Sequence, residues 1–201
     1  MGTINNDRLA RQIAFLVEAD KLKSILRRTP LVDGSRLENS AEHSWHLALT
    51  AVLMREHVPF AFDLSRVLEM LTIHDLVEID AGDTFAYDVA GQVTKAAREQ
   101  AAADRIFGLL PADQSAHLRE LWDEFEAAGT PEARVAHAMD RLQPFMQNSH
   151  ANGGSWREHR LTRAQVLERM APIESILPDV WPLVVDVIDA CCASGLIRTE
   201  S

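Results

Sequence analysis

The chain reads as an all-α domain of about seven or eight helices. Three observations lead there. Ala, Leu, Glu and Arg dominate its 201 residues, and these are helix formers. Apolar residues recur at three- and four-residue spacing along most of the chain, which is the helical period. Capping residues or prolines bracket those stretches, and no segment alternates apolar with polar long enough to predict a strand.

The first helix is expected from residue 6, with apolar positions at Leu9, Ile13, Leu16, Val17, Leu22, Ile25 and Leu26. It should end near Arg28, since Pro30 disfavours helix at Thr29. "TPLVDGSRLENS" then reads as a loop around an Asp-Gly turn. Ser40 is placed to cap a second helix, which runs to about His57 ahead of Pro59. Asp63 caps a third, "LSRVLEMLTIHDLVEID", stopped by Gly82. Residues 83–92 connect it to an Ala-rich helix over 93–109, which Pro111 ends. Asp113 caps the next, over 114–128. Thr130 followed by Pro131 is a clean start for "PEARVAHAMDRLQPFMQ". "NSHANGGSW" reads as a polar loop, with two further helices over 161–171 and 179–195. Neither a repeat nor a linker divides the chain, so residues 1–201 are read as one domain with its core over about 8–185.

The net charge is −10, and no lysine/arginine block stands out. That argues against a nucleic-acid partner, because such binding rests on a basic face that neutralises phosphates. A small anionic ligand is compatible, because a metal or a few local arginines reverse the sign of one pocket. The opening "MGTINNDRLARQ" has no apolar region of a secretory signal and is a poor match for myristoylation. No apolar run approaches the roughly 18 residues of a membrane span, so no membrane association is expected. The two cysteines, Cys191 and Cys192, are adjacent and form no disulfide framework, which fits a reducing cytoplasm.

The stretch "LTIHDLVEIDAGD" (71–83) sets His74 and Asp75 inside an apolar run. Side chains one residue apart on a helix diverge by about 100°. Both face the core only if something sits between them, and a divalent cation is the simplest occupant for a nitrogen and a carboxylate oxygen. Two ligands are too few. "SAEHSWH" offers His43, with His46 one turn on as a rival, and "AHAMDRLQ" offers Asp140, with His137 as its rival or support. Glu78 shares the His74 face, and Asp83 follows the Gly82 break. Arg27 and Arg28 are compatible with a dipole-favourable pair at a helix end. Glu78 and Asp80 are also compatible with ordinary acidic residues at a helix end, although the helix dipole disfavours them there.

Taken in order, "RRTPLVDGSRLENSAEHSWHLAL", "HDLVEIDAGD" and "AMDRLQPFMQN" resemble the HD-domain metal-dependent phosphohydrolases, in particular their 5′-deoxynucleotidase branch. The resemblance spans roughly residues 8–185. It implies a single helical HD domain in which His43, His74, Asp75 and Asp140 hold a divalent cation (Mn²⁺, Co²⁺, Mg²⁺ or Zn²⁺). It places Glu78 and Asp83 as the catalytic acidic pair near the substrate phosphate, or on a second metal site as in some relatives, and Arg28 and Arg36 as substrate-binding arginines. It implies a cytoplasmic homodimer acting on a small phosphate ester, a nucleoside 5′-monophosphate foremost. One position departs from the pattern: Thr29 precedes Pro30 where the deoxynucleotidases carry Trp, which bears on sugar selectivity. Two other readings of the same site are an HD-type phosphodiesterase, or hydrolase of another small phosphate ester, and a non-catalytic metal-binding protein. A purely structural metal site would be closed by protein ligands, which the acidic pair argues against.

Overall fold

The computed structural model describes residues 6–199. Among them are ten α-helical segments, eight of them of eight residues or more, and one two-stranded antiparallel sheet. The first helix, α1 (Asn6–Ala19), is shorter than its apolar pattern predicts. It passes into a 3-10 turn (Asp20–Ser24) and then into strand β1 (Leu26–Pro30). The expected continuation to Arg28 is therefore corrected, as is the loop expected over 29–40. β1 pairs with β2 (Leu37–Asn39) through a bulged hairpin in the register Leu26↔Asn39 and Pro30↔Leu37. Asp33 and Gly34 do form the turn: Ser35 N donates to Asp33 Oδ1 at 3.0 Å, and Gly34 adopts φ +69°.

Helix α2 (Ser40–Met54) is capped by Asn39 rather than Ser40. The Asn39 side chain accepts from Glu42 N, and Glu42 reaches back to Asn39 N, which completes a capping box. Asp63 caps α3 (Leu64–Ile73) as expected. α3 does not run on to Gly82. It gives way to a 3-10 turn (His74–Val77) and a single turn, α4 (Glu78–Ala81). The His74 ring is a local cause. Its Nδ1 lies 3.1 Å from the Leu71 carbonyl, the group that the Asp75 amide would take in a continuous α-helix. Gly82 then ends α4 with φ +73° and ψ +152°, a backbone region open essentially to glycine alone.

α5 (Val89–Phe107) starts four residues earlier than expected, because Asp88 caps it. α6 (Ala112–Ala127) follows Pro111. Asp113 is not its cap but sits in its first turn, where Arg8 holds it at 2.7 Å. α7 (Pro131–His150) begins as predicted, on Thr130 and Pro131. Three shorter helices complete the chain: α8 (Gly154–Glu158), inside the segment read as a loop, then α9 (Arg163–Met170) and α10 (Trp181–Ala193). No helix among the described residues is long and apolar enough to cross a membrane.

α2, α3 and α7 pack on one another, and their shared interior contains Leu47, Met70, Leu71 and Met139, all fully buried. At about 25 cal/mol per Å² of apolar surface removed from water, each such side chain stabilises the fold by roughly 1.5–3 kcal/mol. α2, α7 and the 3-10 turn that follows α3 carry the candidate metal ligands, so this buried interior supports the site.

Candidate metal centre and cavity

His43 in the first turns of α2, and His74 and Asp75 at the end of α3, each present one ligand atom within 4.8 Å of the others. Asp140, from the middle of α7, joins them through His43, with Oδ1 3.0 Å from Nε2. His74 Nε2 lies 3.0 Å from Asp75 Oδ1. Both imidazoles are anchored through Nδ1: His43 to Gln143 Oε1 at 2.9 Å, and His74 to the Leu71 carbonyl at 3.1 Å. Each therefore turns Nε2 toward the cluster, the arrangement that prepares histidine for a metal. His74 Nε2 is buried and lacks a hydrogen bond of good geometry. A cation would satisfy it. Two nitrogens and two carboxylates suit a borderline divalent ion.

The two rivals from the sequence have other roles. His46 sits on the far side of Gln143, whose Nε2 lies 3.0 Å from its Nδ1. His137 stacks on Phe125 with centroids 4.1 Å apart and binds the Phe125 carbonyl at 2.7 Å, so it forms wall rather than ligand set.

Electrostatics tie the cluster together. Burial and Arg27 both oppose charge on His43, yet Asp140 and Glu38 carry its pKa up to about 9. Burial would raise Asp75, but His74 and Arg27 outweigh it and hold Asp75 at about 2. Asp140 is likewise held well below the usual carboxylate range, burial being overridden by His43. Glu78 moves the other way: burial and the neighbouring Asp75 push its carboxyl well up. Burial also raises Asp83, against the pull of Arg27. Ser40 donates to Glu78 Oε2 at 2.6 Å, which fixes that carboxyl.

These groups open onto a cavity of about 330 Å³, lined by His74, Asp75, Glu78, Asp83 and Asp140 together with Arg27 and Arg28. Thr29 is buried in its wall. Asp80 is outside, bound to Arg105 at 2.7 Å. Arg36 is also outside the lining, with its guanidinium on Glu42 at 2.6 Å. The strand explains why the two adjacent arginines part company. Successive side chains of β1 point to opposite faces. Arg27 turns inward and reaches Asp75 at 3.1 Å, whereas Arg28 is exposed and bridges the cavity to an outer cleft.

Sequence reasoning missed Arg27, read as a helix-end charge, and the buried Glu38. Glu38 accepts from Gln143 at 3.0 Å and from Gln147 at 2.8 Å, and lies 3.4 Å from His43 Nδ1. The available signal was on α7: Asp140, Gln143 and Gln147 recur at helical spacing among apolar residues, a polar line on a buried face.

The chain is similar to proteins named for phosphohydrolase activity. The 5′-deoxynucleotidase HDDC2 of Mus musculus is 29% identical over 112 residues, 56% of this chain and 55% of that protein. The 5′-deoxynucleotidase hdd1 of Schizosaccharomyces pombe is 26% identical over 140 residues, 67% of this chain and 69% of that one. The chain thus spans about half the length of the mouse relative it matches. A crystal structure of a "Predicted metal-dependent phosphohydrolase" from Magnetospirillum magnetotacticum MS-1 superposes with a TM-score of 0.92 at 47% identity, covering 98% of this chain and 99% of that one. The HD domain family profile matches residues 19–181, which include His43, the His74–Asp75 pair and Asp140, and so the chain belongs to the HD domain family.

Proposed function

We propose that this protein is a metal-dependent phosphomonoesterase that cleaves nucleoside 5′-monophosphates to nucleoside and phosphate. One observation carries the reading. Two imidazoles tied through Nδ1 and two carboxylates converge beside a pair of carboxyls whose proton affinity burial raises, and all but the fully buried His43 line one cavity. The relatives named as 5′-deoxynucleotidases and the phosphohydrolase named for its metal dependence supply the substrate class.

His43, His74, Asp75 and Asp140 would hold the cation. When bound, it supplies Lewis-acid polarisation and a water of lowered pKa. Arg28, at the cavity edge, orients phosphate oxygens through its planar fork. Arg27 neutralises Asp75 and keeps the acidic wall from repelling an anionic substrate. Glu78 and Asp83 exchange the proton that leaves attacking water and the one that reaches the departing sugar oxygen. Thr29 leaves room where the deoxynucleotidase pattern has Trp, so both ribose and deoxyribose are admitted.

The acting form is a homodimer in the cytoplasm. Leu9, Ile13, Leu16 and Val17 form one exposed apolar stripe on α1, and Trp45, Leu49, Val52 and Leu53 form another on α2. Stripes of this size mark an interaction surface. Both cysteines are free thiols, which suits a reducing compartment.

The test is phosphate release from ribo- and deoxyribonucleoside monophosphates, sugar phosphates and diesters. The protein is stripped with chelator and reloaded with Mn²⁺, Co²⁺, Mg²⁺ or Zn²⁺ in turn. Metal-dependent release from nucleoside monophosphates is expected. Bound metal with no release from any monoester would refute the reading.

A further inference from the structure

Part of the cavity wall remains without a role. Lys95 on α5, Arg141 on α7 and Arg169 on α9 all line it. Lys95 has a partner, Glu99, at 3.2 Å. Only one of the two arginines has a carboxylate within ion-pair reach. Arg169 Nη2 lies 3.7 Å from Asp140 Oδ2, while the other Asp140 oxygen is on His43. Arg141 binds only a backbone carbonyl, that of His137 at 3.0 Å, and its Nε is buried without a partner.

Asp140 therefore serves two demands. It pairs with Arg169, and it belongs to the ligand set for a cation. It cannot meet both in full, because a carboxylate that donates its lone pairs to a divalent ion has little negative charge left for neighbouring arginines. Partly buried charge without a counter-ion is costly. An anion entering the cavity would supply the missing counter-charge, and a tetrahedral oxyanion with several acceptor oxygens matches two guanidinium forks.

We propose that Arg141 and Arg169 form a phosphate subsite, with Asp140 as counter-ion in the metal-free protein and a phosphoryl group as its replacement once Asp140 ligates the cation. The identity of the anion rests on the phosphomonoesterase reading; the exchange itself does not. The subsite gives the substrate phosphate a second pair of arms beside Arg28, the role that Arg36, held on Glu42, does not fill from where it lies. It also makes cation and phosphate bind cooperatively, and the coupling is reciprocal.

Calorimetric titration of inorganic phosphate into Mn²⁺-loaded and chelator-stripped protein tests this. Phosphate should bind the loaded protein about ten-fold or more tightly than the stripped one, and Mn²⁺ should gain by the same factor when phosphate is present. Direct contact between metal and phosphate would give coupling too, so the variants decide. Arg169→Gln and Arg141→Gln should each weaken phosphate about ten-fold in the loaded protein, while Mn²⁺ affinity without phosphate stays equal or rises. Arg169→Lys should recover part of the loss. Arg163→Gln, on the same helix but held by Asp189 at 2.7 Å, should match the unaltered protein. Phosphate affinity unchanged in both glutamine variants would overturn the proposal, as would equal binding with and without metal. Monoester turnover in the same samples separates the two claims. Turnover with unchanged phosphate binding leaves the enzyme reading standing and removes the subsite. Arginine-dependent phosphate binding without turnover does the reverse.

Discussion

At the scale of single residues, His43 is the informative group. Its raised pKa of about 9 means that the imidazole carries a proton on Nε2 at neutral pH, shared with Asp140. A cation must displace that proton. Loading the protein at pH 7 is therefore expected to release a proton, and affinity should climb with pH and level off near 9. Calorimetry in two buffers of different ionisation enthalpy reads this directly, and buffer-independent heat would contradict it. The sign for stability follows. A raised histidine stabilises the metal-free fold fully below its unfolded value of 6.5, and that contribution fades as pH rises toward 9. Glu78 makes the complementary case. Burial raises its carboxyl and Ser40 fixes it, so Glu78→Gln preserves shape while removing proton transfer. The expected loss in kcat is about 10²- to 10⁴-fold with metal content unchanged. A variant that keeps its kcat would remove Glu78 from the chemistry.

At the scale of elements, the site depends on three local breaks in helix: the capping box before α2, the 3-10 turn after α3, and Gly82. Asn39→Ala removes the cap one turn ahead of His43 and should cost about 1 kcal/mol. That corresponds to a melting shift of roughly 2–4 °C in a chain of this size, and Asn39→Asp should restore it. Gly82→Ala meets no atom within 4 Å of the new Cβ, so its cost is backbone strain alone. About 1–3 kcal/mol is expected, together with reduced kcat because Asp83 follows directly; unchanged chemical denaturation would show that the turn tolerates alanine. These breaks were the least legible part of the sequence. Gly82 and Asp63 were readable because glycine and aspartate act within a few bonds of themselves. β1 was not, because its inward positions are Arg27 and Thr29 rather than apolar residues, and no hydrophobic alternation marks it. The leftover apolar residues Leu22, Ile25 and Leu26 then extended the helical pattern of α1 past its true end.

At the scale of the whole molecule, three helices distant in sequence lock the ligands into one place, and two exposed apolar stripes remain on α1 and α2. If those stripes form the subunit interface, the protein sediments at about twice its 22.4 kDa mass. A Leu16→Glu, Trp45→Glu double variant should then run as a monomer with unchanged helicity by circular dichroism. Sedimentation of the unaltered protein at the monomer mass would exclude the interface.

Composition, helical spacing and caps were enough to determine an all-α domain, since periodicity and capping are properties of neighbours along the chain. The order of histidines and aspartates was enough to determine the family and the candidate ligand set. Helical spacing left His46 beside His43 and His137 beside Asp140, because i and i+3 share a helix face; the tertiary structure placed His46 on Gln143 and His137 against Phe125. Only the tertiary structure sent Arg27 inward and Arg28 outward, and brought Arg141 and Arg169 into the wall of one cavity. Those assignments depend on contacts across as many as a hundred residues, which no local pattern encodes.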